Sequence, residues 1–246
     1  MNAFLAEFVG TMILVLLGNG VVANVLLKNT NGHKSGWLVI TVGWGIAVFV
    51  GATIANQASG AHLNPAVSAA KLTLGDMTTE TALTYIAAQL LGAIVGGALV
   101  FFFYRNHFEV SDSADDKLAC FACSPSLPGN GQAFLCEVIG TFVLVFCILH
   151  FQDPILEGSG GDKAKLGLGS IGLLQVAFLV VGIGLSLGGT TGYAINPARD
   201  LGPRIAHYLL PIGGKRDSNW SYSWVPVVGP LAGGVLAALV YRILAL

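Results

Sequence analysis

The chain has 246 residues, of which 54% are hydrophobic and only 10% charged, and its formal net charge is −1. A soluble domain carries about 25% charged residues, so this composition, with a mean hydropathy of +0.73, excludes an ordinary water-soluble globular protein. No nucleic-acid partner is expected, and the bilayer is the expected solvent. Crossing the hydrocarbon takes about 20 mostly apolar residues. In chain order the qualifying segments are residues 4–27, 37–56, 81–104, 134–150, 166–187 and 224–243. The first carries Glu7 and lacks both a basic start and a small-residue cleavage site, which predicts a retained helix rather than a signal peptide.

Three spans fall in each half, and the halves repeat. Asn64-Pro65-Ala66 returns as Asn196-Pro197-Ala198, an offset of 132 from position 64 to position 196. Ala6-Glu7-Phe8-Val9-Gly10-Thr11 answers Cys136-Glu137-Val138-Ile139-Gly140-Thr141 at nearly the same offset. An odd number of spans per half forces the halves into opposite orientations across the membrane, which makes an inverted repeat. Repeat one covers about residues 1–105 and repeat two about 132–246 of a single transmembrane domain.

Each triplet lies between the second and third spans of its half, and the stretches that follow, residues 65–74 and 197–210, are too short to cross alone. They read as half-helices dipping inward. Proline suits the first helical position, asparagine is a good N-cap, and small Ala66, Ala198, Gly60 and Gly192 allow two helix starts to meet closely. Each start carries about half a positive elementary charge. With the Asn64 and Asn196 amides as donors, that point favours solute oxygen atoms and disfavours cations, protons included.

A lone Asn-Pro-Ala usually means a capped helix start. Two copies in register with an inverted membrane repeat resemble the aquaporin family along essentially the whole chain. The stretches that carry the resemblance are Ser59-Gly60-Ala61-His62-Leu63-Asn64-Pro65-Ala66-Val67 and Gly192-Tyr193-Ala194-Ile195-Asn196-Pro197-Ala198-Arg199-Asp200. The resemblance implies an all-α membrane fold of six transmembrane helices and two re-entrant half-helices, assembled as a homotetramer with one pore per subunit.

Asp200 after the second signature, and Pro230-Leu231 in the last span, are similar to the glycerol-conducting branch, the aquaglyceroporins. Carried over by position, Trp44, Gly184, Tyr193 and Arg199 match that branch's selectivity filter. Water-selective members place His where Gly184 stands, so Gly184 is expected to leave room for a carbon chain. Trp44 and Tyr193 would face the CH groups of a polyol while Arg199 donates to its hydroxyls and repels cations. Many bacterial glycerol facilitators carry Phe at the position of Tyr193, which predicts a shifted ratio of water to glycerol flux.

Glu7 and Glu137 lie inside spans, where a carboxylate costs roughly 2.5–3.5 kcal/mol on insertion scales. Their symmetric placement, and the role of such residues in this family, point to acceptors for backbone amides of the signature loops rather than to proton coupling. His62 would line the vestibule or act as a pH-sensitive gate. His33, His107, His150 and His207 are expected to be solvated or capping residues, and no metal or cofactor is implied. Cys136 and Cys147 read as apolar packing, Cys120 and Cys123 as either a loop disulfide or two free thiols. Residues 106–132, with Glu109, Asp112, Asp115 and Asp116, read as a solvated outer loop. Gly96-Gly97 and Gly233-Gly234 are expected at close helix contacts, within a protomer or between protomers.

With the amino terminus inside, as the resemblance implies, inner segments hold Lys71, Lys163, Lys165 and Arg242 against eight basic residues outside, contrary to the positive-inside rule. The reading is a passive channel of the plasma membrane for glycerol, small uncharged polyols and water. The alternatives are a water-selective channel or, with less support, a coupled secondary transporter, for which no ion site is seen beyond the Glu pair. A structural membrane or junction protein is disfavoured by the intact filter, and an enzyme by the lack of a nucleophile, base and acid set.

Overall fold

The computed structural model describes residues 1–152, 154–157 and 163–244. In chain order the elements are α1 Ala3–Leu26, α2 Trp37–Ser59, α3 Pro65–Leu74, α4 Thr79–Phe103, α5 Arg105–Val110, α6 Ala114–Ala119 and α7 Asn130–His150. A small antiparallel hairpin follows, β1 Ile155–Glu157 paired with β2 Lys163–Lys165, then α8 Leu174–Leu187, α9 Pro197–Leu209 and α10 Val225–Leu244. α1, α2, α4, α7, α8 with its lead-in and α10 are long and apolar enough to cross a membrane, whereas α3 and α9 are half-length.

The fifth span departs from the uniform helix expected over residues 166–187. A 3-10 turn at Gly169–Leu173 precedes α8, so the α-helical part has only 14 residues. Gly167, Gly169 and Gly172 explain this: glycine is a poor helix former, and Gly169, which opens the 3-10 turn, takes a φ of 54°, so the α-helix does not run back through it.

The halves interlock rather than sit side by side. α1 packs against α2 and α4, and α7 against α8 and α10. Each half-helix then packs on the last span of the other half, α3 on α10 and α9 on α4, while α2 meets α8. Glycines permit these contacts. A Cβ at Gly96 would lie 2.6 Å from the Met12 carbonyl and one at Gly233 2.3 Å from that of Val138. One at Gly97 would lie 3.0 Å from Pro203, and one at Gly234 2.7 Å from the Ala66 carbonyl. Both glycine pairs therefore serve contacts within one protomer.

The outer surface shows which solvent surrounds the bundle. Phe103, Phe178, Leu83 and Phe102 are 78%, 72%, 62% and 61% exposed, and large apolar side chains left open on the spanning helices fit a surface that faces lipid. The interior holds Glu7, Asn19, Thr41, Gln89, Glu137 and Arg204. The protein is thus inverted relative to a soluble fold.

Candidate functional site

The two signature loops repeat each other angle by angle. Gly60 and Gly192 have φ of 79° and 81°, Ala61 and Tyr193 52° and 39°, Leu63 and Ile195 50° and 44°. Positive φ is uncommon for residues with a Cβ, and for β-branched Ile195 it marks real strain. Such backbone persists only where its surroundings over-determine it, and here two carboxylates do so. Glu7 accepts from His62 N–H at 2.9 Å, Leu63 N–H at 2.7 Å, Ser59 Oγ at 2.6 Å and Gln89 Nε2 at 2.7 Å. Glu137 accepts from Ala194 N–H and Ile195 N–H, both at 2.9 Å. The two acids are 0% and 1% exposed, so neither meets solvent.

These loops deliver Asn64 and Asn196 as N-caps. Asn64 Oδ1 accepts from Ala66 N–H at 2.9 Å; Asn196 Oδ1 accepts from Ala198 N–H at 3.0 Å and Arg199 N–H at 3.2 Å. The amides cross over: Asn64 Nδ2 donates to the Ile195 carbonyl at 2.9 Å, and Asn196 Nδ2 to the Leu63 carbonyl at 2.8 Å. This exchange ties the starts of α3 and α9 together. A side-chain amide has two N–H donors, so each asparagine keeps one beyond the crossed bond.

A cavity of about 310 Å³ reaches this junction, and its lining includes Lys71, His62, Asn64, Asn196, Trp44, Tyr193 and Arg199. Among the described residues, no aspartate or glutamate lines it. His62 Nδ1 lies 3.0 Å from Ser68 Oγ, and its ring meets Tyr85 edge-on at 5.0 Å.

Trp44, Gly184, Tyr193 and Arg199 come together from α2, α8, the second loop and α9. The Arg199 guanidinium stands 4.0 Å over the Trp44 ring, a cation–π contact. Among the described residues it donates to no protein acceptor, so its N–H groups are available to the cavity. Trp44 is seated on Gly18, where a Cβ would come within 2.3 Å of the ring.

Gly184 serves a different neighbour from the one expected. A Cβ there would meet Thr41 Cγ2 at 2.8 Å and Tyr193 Cζ at 2.9 Å, and one at Gly188 would meet Tyr193 Cδ1 at 2.4 Å. The space that these glycines leave is filled by the Tyr193 ring, not open to solute. Trp37 closes the seat, its ring edge-on to Tyr193 at 5.8 Å and its Nε1 donating to the Gly184 carbonyl at 2.9 Å. Gly18, Gly188 and Trp37 escape a motif reading because each acts only by touching a filter residue from another element.

Several expectations for residues 106–132 and for His207 are corrected. Residues 106–132 are not simply a solvated loop: they fold into α5, α6 and a segment that buries Phe108, Leu118, Cys120, Phe121 and Cys123. His207 is fully buried, its Nδ1 2.8 Å from Ser218 Oγ, rather than solvated. Asp200 and Arg204 are both fully buried, 2.7 Å apart, and Arg204 also donates to the carbonyls of Cys123, Ser218 and Asn219 at 2.9, 2.7 and 3.1 Å. Apolar packing around this clasp explains why the loop turns inward.

Cys120 and Cys123 are free thiols, which decides between the two states left open by the sequence. Burial pushes the Cys120 thiol strongly up, and burial, partly offset by Arg199, pushes Cys123 up to about 12. A raised thiol pKa leaves the unreactive protonated form at neutral pH. Native protein is therefore expected to show neither cysteine alkylated by maleimide at neutral pH, and labelling of both after unfolding; rapid native labelling at Cys123, read by mass spectrometry, would contradict the buried placement.

Six spanning helices around a mostly apolar cavity into which a few polar groups project, with two half-helices meeting end to end inside it, define a membrane channel. Comparison with known proteins places it further. The major intrinsic protein family profile matches residues 1–241, and the chain belongs to that family of channels and facilitators. It is 51% identical over 242 residues to a Thermotoga maritima protein named a probable glycerol uptake facilitator, covering 98% of this chain and 99% of that one. It is 48% identical over 243 residues to a Streptococcus pneumoniae glycerol uptake facilitator, covering 99% of each. The crystallographic aquaglyceroporin of Plasmodium falciparum superposes with a TM-score of 0.80 at 32% identity, covering 97% of this chain and 93% of that one. The chain is accordingly an integral membrane protein of aquaporin-like fold, and a plasma-membrane location fits its bacterial relatives.

Proposed function

We propose that the protein is a passive channel conducting glycerol, other small uncharged polyols and water down their gradients while excluding ions and protons. The observation that carries this reading is the two-sided constriction. Trp44 and Tyr193 offer apolar ring surface, while Arg199 faces the same cavity with donors that no described protein acceptor takes. A polyol presents CH groups on one side and hydroxyls on the other, so it satisfies both walls in one pose. Beyond the filter it meets the remaining amide donors of Asn64 and Asn196 at two positive helix ends, which accept its oxygen atoms and repel a cation.

A coupled transporter is less well supported. Glu7 and Glu137 are committed to holding the loops, and among the described residues no carboxylate lines the cavity to bind a coupling ion. Nothing in this passage makes or breaks a covalent bond, so the reading is of a non-enzymatic pore, one per subunit of a homotetramer within the lipid bilayer. The face bearing both termini is read as cytoplasmic, with the aperture of Trp44, Gly184, Tyr193 and Arg199 towards the outer face and Asp200 beside it.

The test is light scattering from proteoliposomes in a glycerol gradient. Fast re-swelling after the initial shrinkage is expected; water-driven shrinkage without re-swelling would overturn the glycerol assignment. Arg199→Ala is expected to widen the accepted solute range and admit monovalent cations, because the cationic side chain at the aperture is removed; ion exclusion and solute range both unchanged in a conductance assay would remove Arg199 from this role.

A further inference from the structure

The Asp200–Arg204 pair does not line the cavity, yet it sits directly beside the aperture. Both side chains are 0% exposed, and the passage of solute makes no use of them. We propose that this pair is a positioning clamp for the filter: by gripping the backbone of Cys123 it presses the outer segment onto residues 190–192, and so sets where Tyr193 and Arg199 stand and how wide the aperture is. The inference rests on the channel reading above and extends it to residues outside the pore.

The grip is two-sided. Asp200 Oδ2 accepts the Cys123 N–H at 2.7 Å, and Arg204 Nη2 donates to the Cys123 carbonyl at 2.9 Å. Both backbone polar groups of one residue are thus taken by the two members of one ion pair. From that fixed point the segment reaches the filter loop: Cys123 Sγ approaches the Gly192 carbonyl at 3.3 Å, and Ser126 N–H and Oγ both donate to the Thr190 carbonyl, at 2.9 and 3.1 Å. There is little slack, since a Cβ on Gly192 would stand 3.2 Å from Cys123 Sγ.

Tyr193 is therefore held from both chain directions. Glu137 fixes Ala194 and Ile195 after it, and the clamped segment fixes Thr190 and Gly192 before it. Its left-handed backbone, φ 39°, needs such restraint. Arg199 is reached through the chain itself, because Asp200 follows it in the first turn of α9. The same Arg204 binds Ser218 and Asn219, and Asn219 Nδ2 donates to Ser124 Oγ at 3.3 Å, so the loop before α10 closes over the outer segment.

A pair that served stability alone would scale every flux with the amount of folded protein. A positioning pair changes the selectivity of the protein that does fold. The experiment compares intact protein with Asp200→Asn, Asp200→Glu and Cys123→Ala in proteoliposomes, reading water, glycerol and xylitol permeability per reconstituted protein. Expected are a change of about threefold or more in the glycerol-to-water ratio for Asp200→Asn, partial return with Asp200→Glu, and a smaller change in the same direction for Cys123→Ala, which keeps the backbone grip but loses the Sγ contact. If Asp200→Asn does not reconstitute, Cys123→Ala decides. An unchanged glycerol-to-water ratio and unchanged xylitol permeability across the variants that fold overturns the clamp. Intact protein that passes no glycerol overturns the channel reading instead, and the two failures are told apart in one series.

Discussion

Glu137→Ala is expected to unfold the channel or leave it inactive. The substitution strips the acceptors from two buried N–H groups, those of Ala194 and Ile195, at about 1–3 kcal/mol for each unsatisfied group. It also frees strained backbone at Tyr193 and Ile195, each conformation costing on the order of 1–3 kcal/mol when unsupported. Against a typical total stability of about 5–15 kcal/mol, the loop that carries Tyr193, Asn196 and Arg199 does not keep its shape. Glu7→Ala is expected to be at least as damaging, since it strands the His62 and Leu63 N–H groups and also removes the acceptor of Ser59 Oγ and Gln89 Nε2. Glu137→Gln keeps one acceptor oxygen but turns an amide donor towards a second N–H, and should fall between. Thermal unfolding in detergent, paired with glycerol flux, reads the series; a Glu137→Ala protein with native Tm and native flux would refute this role for the acid.

Gly184→His is expected to suppress glycerol flux by about tenfold or more, the scale on which a tight apolar site discriminates one methylene, with a smaller effect on water. The cause lies in the Cβ itself, before the imidazole is considered. Placed 2.9 Å from Tyr193 Cζ and 2.8 Å from Thr41 Cγ2, it has to displace the Tyr193 ring, and Trp37 and Gly188 block retreat along the wall. The ring is then driven towards Arg199 and Trp44, across the aperture. Gly184→Ala should show the same direction in weaker form, and a smaller residue at 193, as in Gly184→Ala with Tyr193→Leu, should recover part of the loss because residues in contact couple. Equal loss of water and glycerol in Gly184→His, or additive behaviour in the pair, would place the constriction elsewhere.

Much of this architecture is legible in the sequence because it depends on local chemistry. Apolar runs near the length of a bilayer define the spans, and Asn-Pro at 64–65 and 196–197 fixes where α3 and α9 begin. The register of the repeat is carried by paired residues such as Glu7 with Glu137 and Gly60 with Gly192. What is not legible depends on contacts between distant elements. Gly184 reads as empty space until Tyr193 is seen lying on it. Arg199 and Arg204 are alike in sequence, five residues apart on one half-helix, yet one keeps its donors for the cavity while the other gives them to Asp200, Cys123, Ser218 and Asn219. The acidic stretch of residues 106–132 looks solvated because its charges are conspicuous, while its apolar residues Phe108, Leu118 and Phe121 are spaced too irregularly to announce a buried face.

The central claim is a pore that passes a neutral polyol and blocks charge with no coupling to an ion gradient. The most direct measurement places glycerol flux and internal pH in the same proteoliposomes, with a pH-sensitive dye inside and either no gradient, a sodium gradient or a proton gradient imposed. Glycerol flux that is fast and identical in all three conditions, with the imposed proton gradient decaying no faster than in protein-free vesicles, is the predicted result. Flux that rises or falls with either ion gradient, or that dissipates it, would contradict a passive ion-excluding channel and return Glu7 and Glu137 to consideration as coupling groups.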